Sequence, residues 1–445
     1  MIAQTAAKMR EHLEAFSGRL SARLSKPARR FVSEALYGIA ARGSVRLSEI
    51  GRSLEEPIAL IKTETRLSRN LARPELASIG DAVLAEGAGR IGARTLLVLD
   101  LSDITKPYAE KMEHLARVRD GSAGVIADGY WLAQVIGVEN EDNAIVPLYA
   151  ALYSQKAPDF VSENEEILTA IRTVATACHG RGVWVVDRGG DRGELYTPLI
   201  EEGHTFVIRN KGDRHLLIGH SPAGEAKAAT VDLALSCPMH YATHIVREEH
   251  GQEVAYRLDY GFRRVRLPNH PQVPLWLVVI RGLGEKPLML LTNLGVRRDR
   301  KTLWWAVSAD FTRWRIEETI RFIKQSYDLE DIRVLTYRRL QNMVVLANAV
   351  AFFTASVIGT RMKLEILATH LITASKRLFG IPDFRYYTIA DGIREVCVKS
   401  PAVRPAPSRG SPTRLRLPLN FWGGSCWFPA IDRLSCAGYL GVQRP

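Results

Sequence analysis

Cysteine is scarce in this chain, with five residues among 445: Cys178, Cys237, Cys397, Cys426 and Cys436, odd in number and widely spaced. No Cys-x2-Cys pair occurs, which excludes a zinc-ribbon spacing and a disulfide scaffold and points to a reducing compartment. His240 and His244 stand four apart without a third ligand in a matching pattern, so they read as turn and strand residues rather than a metal pair. The first residues lack the basic, apolar and small-residue order of a secretory signal. A membrane span is missing too, because the apolar run from Met343 to Ile358 is short and broken by Asn348, Thr354 and Ser356; it reads as a buried core helix. No Ser, Tyr or Cys nucleophile motif is evident, which argues against an enzyme-linked intermediate. Acids nearly vanish after Pro401, where Pro405, Pro407, Pro412 and Pro418 mix with Ser, Gly and Arg, and residues 398–445 read as a basic, disordered tail. The expectation is a cytoplasmic protein with no membrane partner.

What is present is positive charge and ample apolar content. A formal net charge of +12 suits a polyanion partner, and 46% hydrophobic residues suffice for several cores. Residues 1–80 mix helical periodicity with arginines, Arg19, Arg23, Arg29, Arg30, Arg42, Arg46, Arg52, Arg66 and Arg69, interleaved with Phe31, Leu36, Ile39, Leu47 and Ile50. This reads either as a helical domain that lies on DNA or as a solvated bundle kept soluble by its arginines. Gly43-Ser44 marks a helix break.

Two apolar, strand-like runs end in acids: Thr95-Leu-Leu-Val-Leu-Asp100 and Gly182-Val-Trp-Val-Val-Asp187. A carboxylate at the end of a buried strand is not part of a solvated face. A third acid, Glu317, sits in the amphipathic segment from Arg313 to Gln325, where Arg313, Glu317, Arg321 and Lys324 share one helical stripe beside the apolar stripe Ile316, Ile320, Ile323 and Tyr327. For a single Glu with Arg four away, a surface ion pair is the ordinary explanation. Three acids on two strands and a helix suggest a metal cluster instead. Asp103, followed by Ile104-Thr105, competes with Asp100 as the first acid, and its other role is a turn or cap beside Lys106-Pro107.

Strand patterns near 95–101, 130–138 and 144–153, a helix near 163–179, the strand ending at Asp187, a helix near 194–202 and a strand at 204–209 predict an α/β fold with a ribonuclease-H-like core. The domain reading is an N-terminal helical DNA-binding domain at 1–80, the first part of the core at 90–211, an all-β insertion at 212–300, and the second part of the core with C-terminal helices at 301–380, then the tail.

These residues resemble the DDE transposases of bacterial insertion sequences, most of all the branch called insertion sequence family four. Its Tyr-x2-Arg-x3-Glu-x6-Lys signature falls here on Arg313, Glu317 and Lys324, with Asp310 in the Tyr position and Phe311 beside it. Val186-Asp-Arg-Gly-Gly-Asp-Arg-Gly193 resembles the family's second strand end followed by Asp-Arg-x-x-Asp, and Phe206-Val-Ile-Arg-Asn-Lys211 its next strand. The resemblance spans roughly residues 20 to 360. It implies an enzyme whose catalytic acids and metal ligands are Asp100, Asp187 and Glu317, holding two Mg²⁺ or Mn²⁺ ions. Arg313, Arg321, Lys324, Arg209 and Lys211 would bind DNA phosphates. Double-stranded DNA, both terminal inverted repeats and target, is the implied partner, a homodimer the implied end complex, and the bacterial nucleoid the implied place of action. Ile366 to Leu378 is the nearby candidate for dimer contacts. A catalytically inactive, repressor-like descendant and a metal-dependent nuclease on the same fold are the competing readings.

Overall fold

A computed structural model of the chain describes residues 2–121, 123–139, 144–219, 226–249, 252–358, 370 and 384–399. The basic tail from residue 400 onward, with Cys426 and Cys436, and the 366–378 segment apart from His370 lie outside the described residues.

The chain begins with five helices, α1 (Ile2–Leu20), α2 (Lys26–Arg42), α3 (Leu47–Ser53), α4 (Leu60–Leu71) and α5 (Ser78–Ala88). Pro27 opens α2, where a missing N–H costs nothing. Gly43 closes it in the left-handed region at φ 60°, its N–H donating to the Ile39 carbonyl. The expected break at Gly43-Ser44 is therefore a helix C-cap. Since α5 runs to Ala88, the helical unit extends past residue 80.

Next come β1 (Leu96–Thr105), β2 (Ala116–Arg119), β3 (Ile126–Val138) and β4 (Ile145–Tyr153), then α6 (Glu163–Ala177), β5 (Val183–Val186), α7 (Gly193–Glu201) and β6 (Phe206–Arg209). Strand β3 pairs antiparallel with β1, β2 and β4, whereas β5 pairs parallel with β1 and with β6. The sequence pattern predicts three strands and then alternating helix and strand; β2 is a fourth strand before α6 that the pattern did not reveal. Ser162 caps α6 by accepting from the Glu165 N–H, and Glu163, Glu165 and Glu166 oppose the helix dipole in the first turn. Leu96–Leu99 of β1 and Val183–Val186 of β5 are buried at successive residues, as strands covered on both faces are.

Beyond β6 the sheet continues: β7 (His215–Ile218), β8 (Ala226–Ala229), α8 (Thr230–Leu235), β9 (Tyr241–Glu249), β10 (Gln252–Leu267), β11 (His270–Arg281) and β12 (Leu288–Thr292). Strand β12 pairs antiparallel with β6, Leu290 opposite Arg209 and Leu291 opposite Ile208, so the insertion extends the core sheet to twelve strands. It is not purely β, because α8 folds between β8 and β9 and buries Leu233 and Ala234.

Helices α9 (Arg300–Thr312), α10 (Trp314–Ser326), α11 (Tyr337–Phe352, continuing as a π turn over Phe353–Ile358) and α12 (Tyr386–Lys399) complete the described chain. Asp299 caps α9 through the Thr302 N–H at 2.7 Å. The stretch Tyr337–Ile358 is long and apolar enough to cross a membrane by composition, yet 89% of its apolar window is buried inside the fold, against β4, α2 and α5. Phe16 of α1 stacks on Phe352 at its end. Buried apolar residues of the helical unit, the sheet and α9–α12 form one continuous core.

Candidate active site

Strands β1 and β5 are in parallel register from Leu96 with Val183 to Val98 with Val185. Carrying that register two residues further brings Asp100 beside Asp187, both beyond the last parallel pair and on the same face of neighbouring strands, which lie about 4.8 Å apart in a sheet. This is the carboxyl end of parallel strands, where open α/β sheets leave a crevice. Asp187 follows the four buried residues of β5 and caps a 3₁₀ turn (Arg188–Gly190), its Oδ1 accepting from the Gly189 N–H at 2.7 Å. Asp100 is not a strand end, since β1 continues to Thr105 on antiparallel pairs with β3, Asp100 opposite Gln134 and Asp103 opposite Trp131. That pairing keeps Asp103 inside the strand rather than in the turn or cap read beside Lys106-Pro107.

Helix α10 packs across β1 and β3. Its first turn carries Glu317, which Arg313 Nη1 holds at 3.1 Å. Arg313 is the residue between α9 and α10; it is buried, and its guanidinium lies 5.4 Å from the centre of the Trp314 ring. The Asp100 carboxyl is raised to about 7, by burial first and then by the charges of Asp187 and Glu317, against the opposing charge of Arg313. Charges carried after β5 and on α10 thus reach the Asp100 carboxyl on β1. A buried carboxyl raised by neighbouring carboxylates is what a shared site produces, and such shifts cluster at functional sites.

Arg209, at the end of β6, belongs to the same crevice. Burial lowers its guanidinium below the ordinary arginine value; Asp310 and Asp187 counter this, and Arg188 and Arg313 add to it. Asp310, in the last turn of α9, is only 3% exposed, so the acid in the signature's Tyr position acts as a buried counter-charge to Arg209. Sequence reading passed over Arg188; its exposed side chain stands near Arg209, and the Asp-Arg-x-x-Asp pattern was the signal for it.

The other predicted cations stand elsewhere. Lys324 Nζ is 3.0 Å from Glu330 and 3.5 Å from Asp103, whose Oδ1 also accepts from the Gly121 N–H at 3.2 Å. Glu317 and Lys324 are seven helical residues apart, about 10 Å along the axis, and Asp100 and Asp103 are separated by about 10 Å of strand, so α10 runs alongside β1 and sets one pair at each level. Arg321 is exposed and pairs with Glu318 at 2.7 Å. Lys211 lines a separate cleft of about 450 Å³ with Asp213, Arg214, His215 and Lys227, and its N–H donates to Asp191.

The donor set of Asp100, Asp187 and Glu317 is chemically suited to a hard divalent cation, which prefers carboxylate oxygens, and the charge crowding on Asp100 is what such a cation relieves. As the side chains stand, no group of three His, Cys, Asp or Glu residues among the described residues is drawn together closely enough to hold an ion. His240 stacks on Phe262 at 5.0 Å, and Cys178, Cys237 and Cys397 are free and buried.

Residues 154–353 match the family described as Transposase DDE domain, a span that contains Asp187, Asp310 and Glu317 and begins after Asp100. The match supports a DDE transposase. The chain is also similar to a solved structure, the cryo-EM structure of a piggyBac transposase synaptic complex with hairpin DNA, at 11% identity and a TM-score of 0.43, over 91% of this chain and 84% of that one. No curated protein matches the chain.

Proposed function

We propose that this chain is the transposase of an insertion sequence, of the family-four branch, and that it cleaves DNA at terminal inverted repeats and transfers the freed strand to a target. The observation that supports this most is the buried Asp100 carboxyl on β1, raised first by burial and then by the charges of Asp187 after β5 and Glu317 on α10. Asp100, Asp187 and Glu317 would hold two Mg²⁺ or Mn²⁺ ions, with Glu317 exchanging its Arg313 partner as the carboxylates close in. Bound ions would neutralise charge on the entering and leaving oxygens of an in-line displacement.

The chain's own residues supply position and charge. Arg209 and Arg188 would hold the phosphates that flank the scissile bond, joined by Arg313 once Glu317 releases it. Water attacks phosphorus, the bond to the 3′ oxygen breaks, and that oxygen takes up a proton. The resulting 3′-hydroxyl then attacks a target phosphodiester, displacing its 3′ oxygen, so the number of phosphodiester bonds is unchanged in the joining step. Asp103 and Lys324 brace α10 against β1. The enzyme would act in the cytoplasm, on the nucleoid, as a homodimer.

A second reading, an inactive DNA-binding descendant that acts as a repressor, is favoured by Asp310 in the signature's Tyr position. Purified protein incubated with Mg²⁺ or Mn²⁺ and DNA bearing the repeats that flank the gene decides between them. Nicking at the repeat ends followed by joining to target is expected. Binding without nicking would reject the enzyme, and nicking without joining would leave a nuclease.

A further inference from the structure

We propose that α4 is the helix that enters the major groove of duplex DNA, presenting Ile61, Lys62, Thr65 and Arg69 to the base edges. The proposal rests on the transposase reading and names the part of the chain that selects the DNA end. Helices α2, α3 and α4 pack on one another as a unit. A Cβ on Gly38 would meet Ile50 at 2.6 Å, and one on Gly51 would meet Leu60 at 3.0 Å, so these glycines let α3 approach both neighbours closely. The loop between α3 and α4 is pinned by charge: Glu34 of α2 accepts from Arg30 and Arg66, and Glu56 of the loop accepts from Arg30 at 3.0 Å, Arg66 at 2.9 Å and Thr63 at 2.8 Å. These bonds account for the local acids and for two of the arginines read from the sequence as DNA-facing.

They leave α4 with a clear division of faces. Thr63, Leu67 and Leu71 are buried toward the unit. Ile61, Thr65 and Arg69, at successive intervals of four with Lys62 beside them, are exposed, Ile61 at 65%. Glu64, the one acid in α4, leans back toward Gly51 and is partly buried. The outward face is therefore basic, with an apolar side chain at its start. With Arg66, Asn70 and Arg73 it borders an open groove of about 530 Å³. A twelve-residue helix is about 18 Å long, a fit for a B-form major groove about 12 Å wide. Arg and Lys pair with guanine edges there, and Ile and the Thr methyl can meet thymine methyls.

The test uses the full chain and a duplex carrying the flanking repeat. Lys62→Ala and Arg69→Ala are each expected to weaken binding about tenfold, the loss expected for a good base contact. Thr65→Val and Ile61→Ala are expected to change the sequence recovered from a randomised duplex pool. Arg69→Gln, which keeps length and polarity, serves if the alanine variant does not fold. Unchanged affinity and unchanged recovered sequence in folded variants would overturn the assignment, as would equal competition by duplex RNA, whose major groove is too narrow for a helix. If those variants bind as wild type does and still nick DNA, the α4 assignment fails alone; if the wild-type chain neither binds nor nicks the repeats, the transposase reading fails with it.

Discussion

Lys324 Nζ lies 3.5 Å from Asp103 Oδ2, an ion pair between α10 and β1 in which both side chains are largely buried. The pair separates the two candidate first acids. Asp103 serves as a partner of Lys324 and of the Gly121 N–H, whereas the charges of Asp187 and Glu317 reach Asp100. Asp103→Asn is accordingly expected to retain cleavage and to lower stability by about 1 kcal/mol, at the upper end for a partly exposed pair. Asp100→Asn is expected to keep the fold and abolish cleavage at every Mn²⁺ concentration. Nicking assays beside thermal melts check both, and the reverse pattern would make Asp103 the first acid.

Asp100 predicts a pH dependence with a definite sign. Its folded-state carboxyl is raised to about 7 from an ordinary value of 3.8, so the folded protein holds this proton more tightly than the unfolded chain does. The stability it contributes is fully present below about pH 4 and is lost as pH rises through 7. Asp100→Asn should flatten the melting temperature between those limits relative to wild type. Because proton and cation compete for the same oxygens, Mn²⁺ should raise the melting temperature more at pH 8 than at pH 5.5. A metal effect independent of pH would contradict this placement of the group.

Arg209 and Asp310 form the buried charge couple of the site. Asp310→Asn leaves Arg209 without its largest favourable neighbour and is expected to cost about 2 kcal/mol, below the range for breaking a fully buried pair because Arg209 is only partly buried. Chemical denaturation measures it. Asp310→Tyr, which restores the signature residue, should destabilise at least as much as Asp310→Asn if Arg209 depends on that charge; a gain in stability would show that it does not.

Much of this arrangement was legible in the chain. Apolar runs placed Asp100 and Asp187 on buried strands, and helical periodicity put Arg313 and Glu317 on one stripe; that the two strands are neighbours came from the structure. Periodicity fixes a face, however, and not a partner. Lys324 shares the stripe of Glu317 but sits two turns further along α10, where it meets Asp103 and Glu330. The continuation of β1 past Asp100 depended on β3, and the merging of the insertion with the core depended on β6 meeting β12 more than eighty residues later. Pairings of that range leave no local pattern. Nor did the arginines of the helical unit announce that Arg30 and Arg66 are held by Glu34 and Glu56.

That network carries its own expectation. Glu34 is 5% exposed and is shared by Arg30 and Arg66. Glu34→Ala leaves two guanidinium groups short of a partner and should destabilise the chain by about 2 to 3 kcal/mol, less than for a fully buried pair because Arg30 is well exposed. Denaturant unfolding would show it as a lower midpoint, and a change under 0.5 kcal/mol, the range of ordinary surface substitutions, would mean that the loop does not depend on this acid.

The most direct test of the central claim is calorimetric titration of Mn²⁺ into the full chain in the presence of repeat DNA. Wild type should bind, and Asp100→Asn, Asp187→Asn and Glu317→Gln should each weaken binding at least tenfold while Asp103→Asn does not. Tight Mn²⁺ binding that survives all three substitutions would contradict the account.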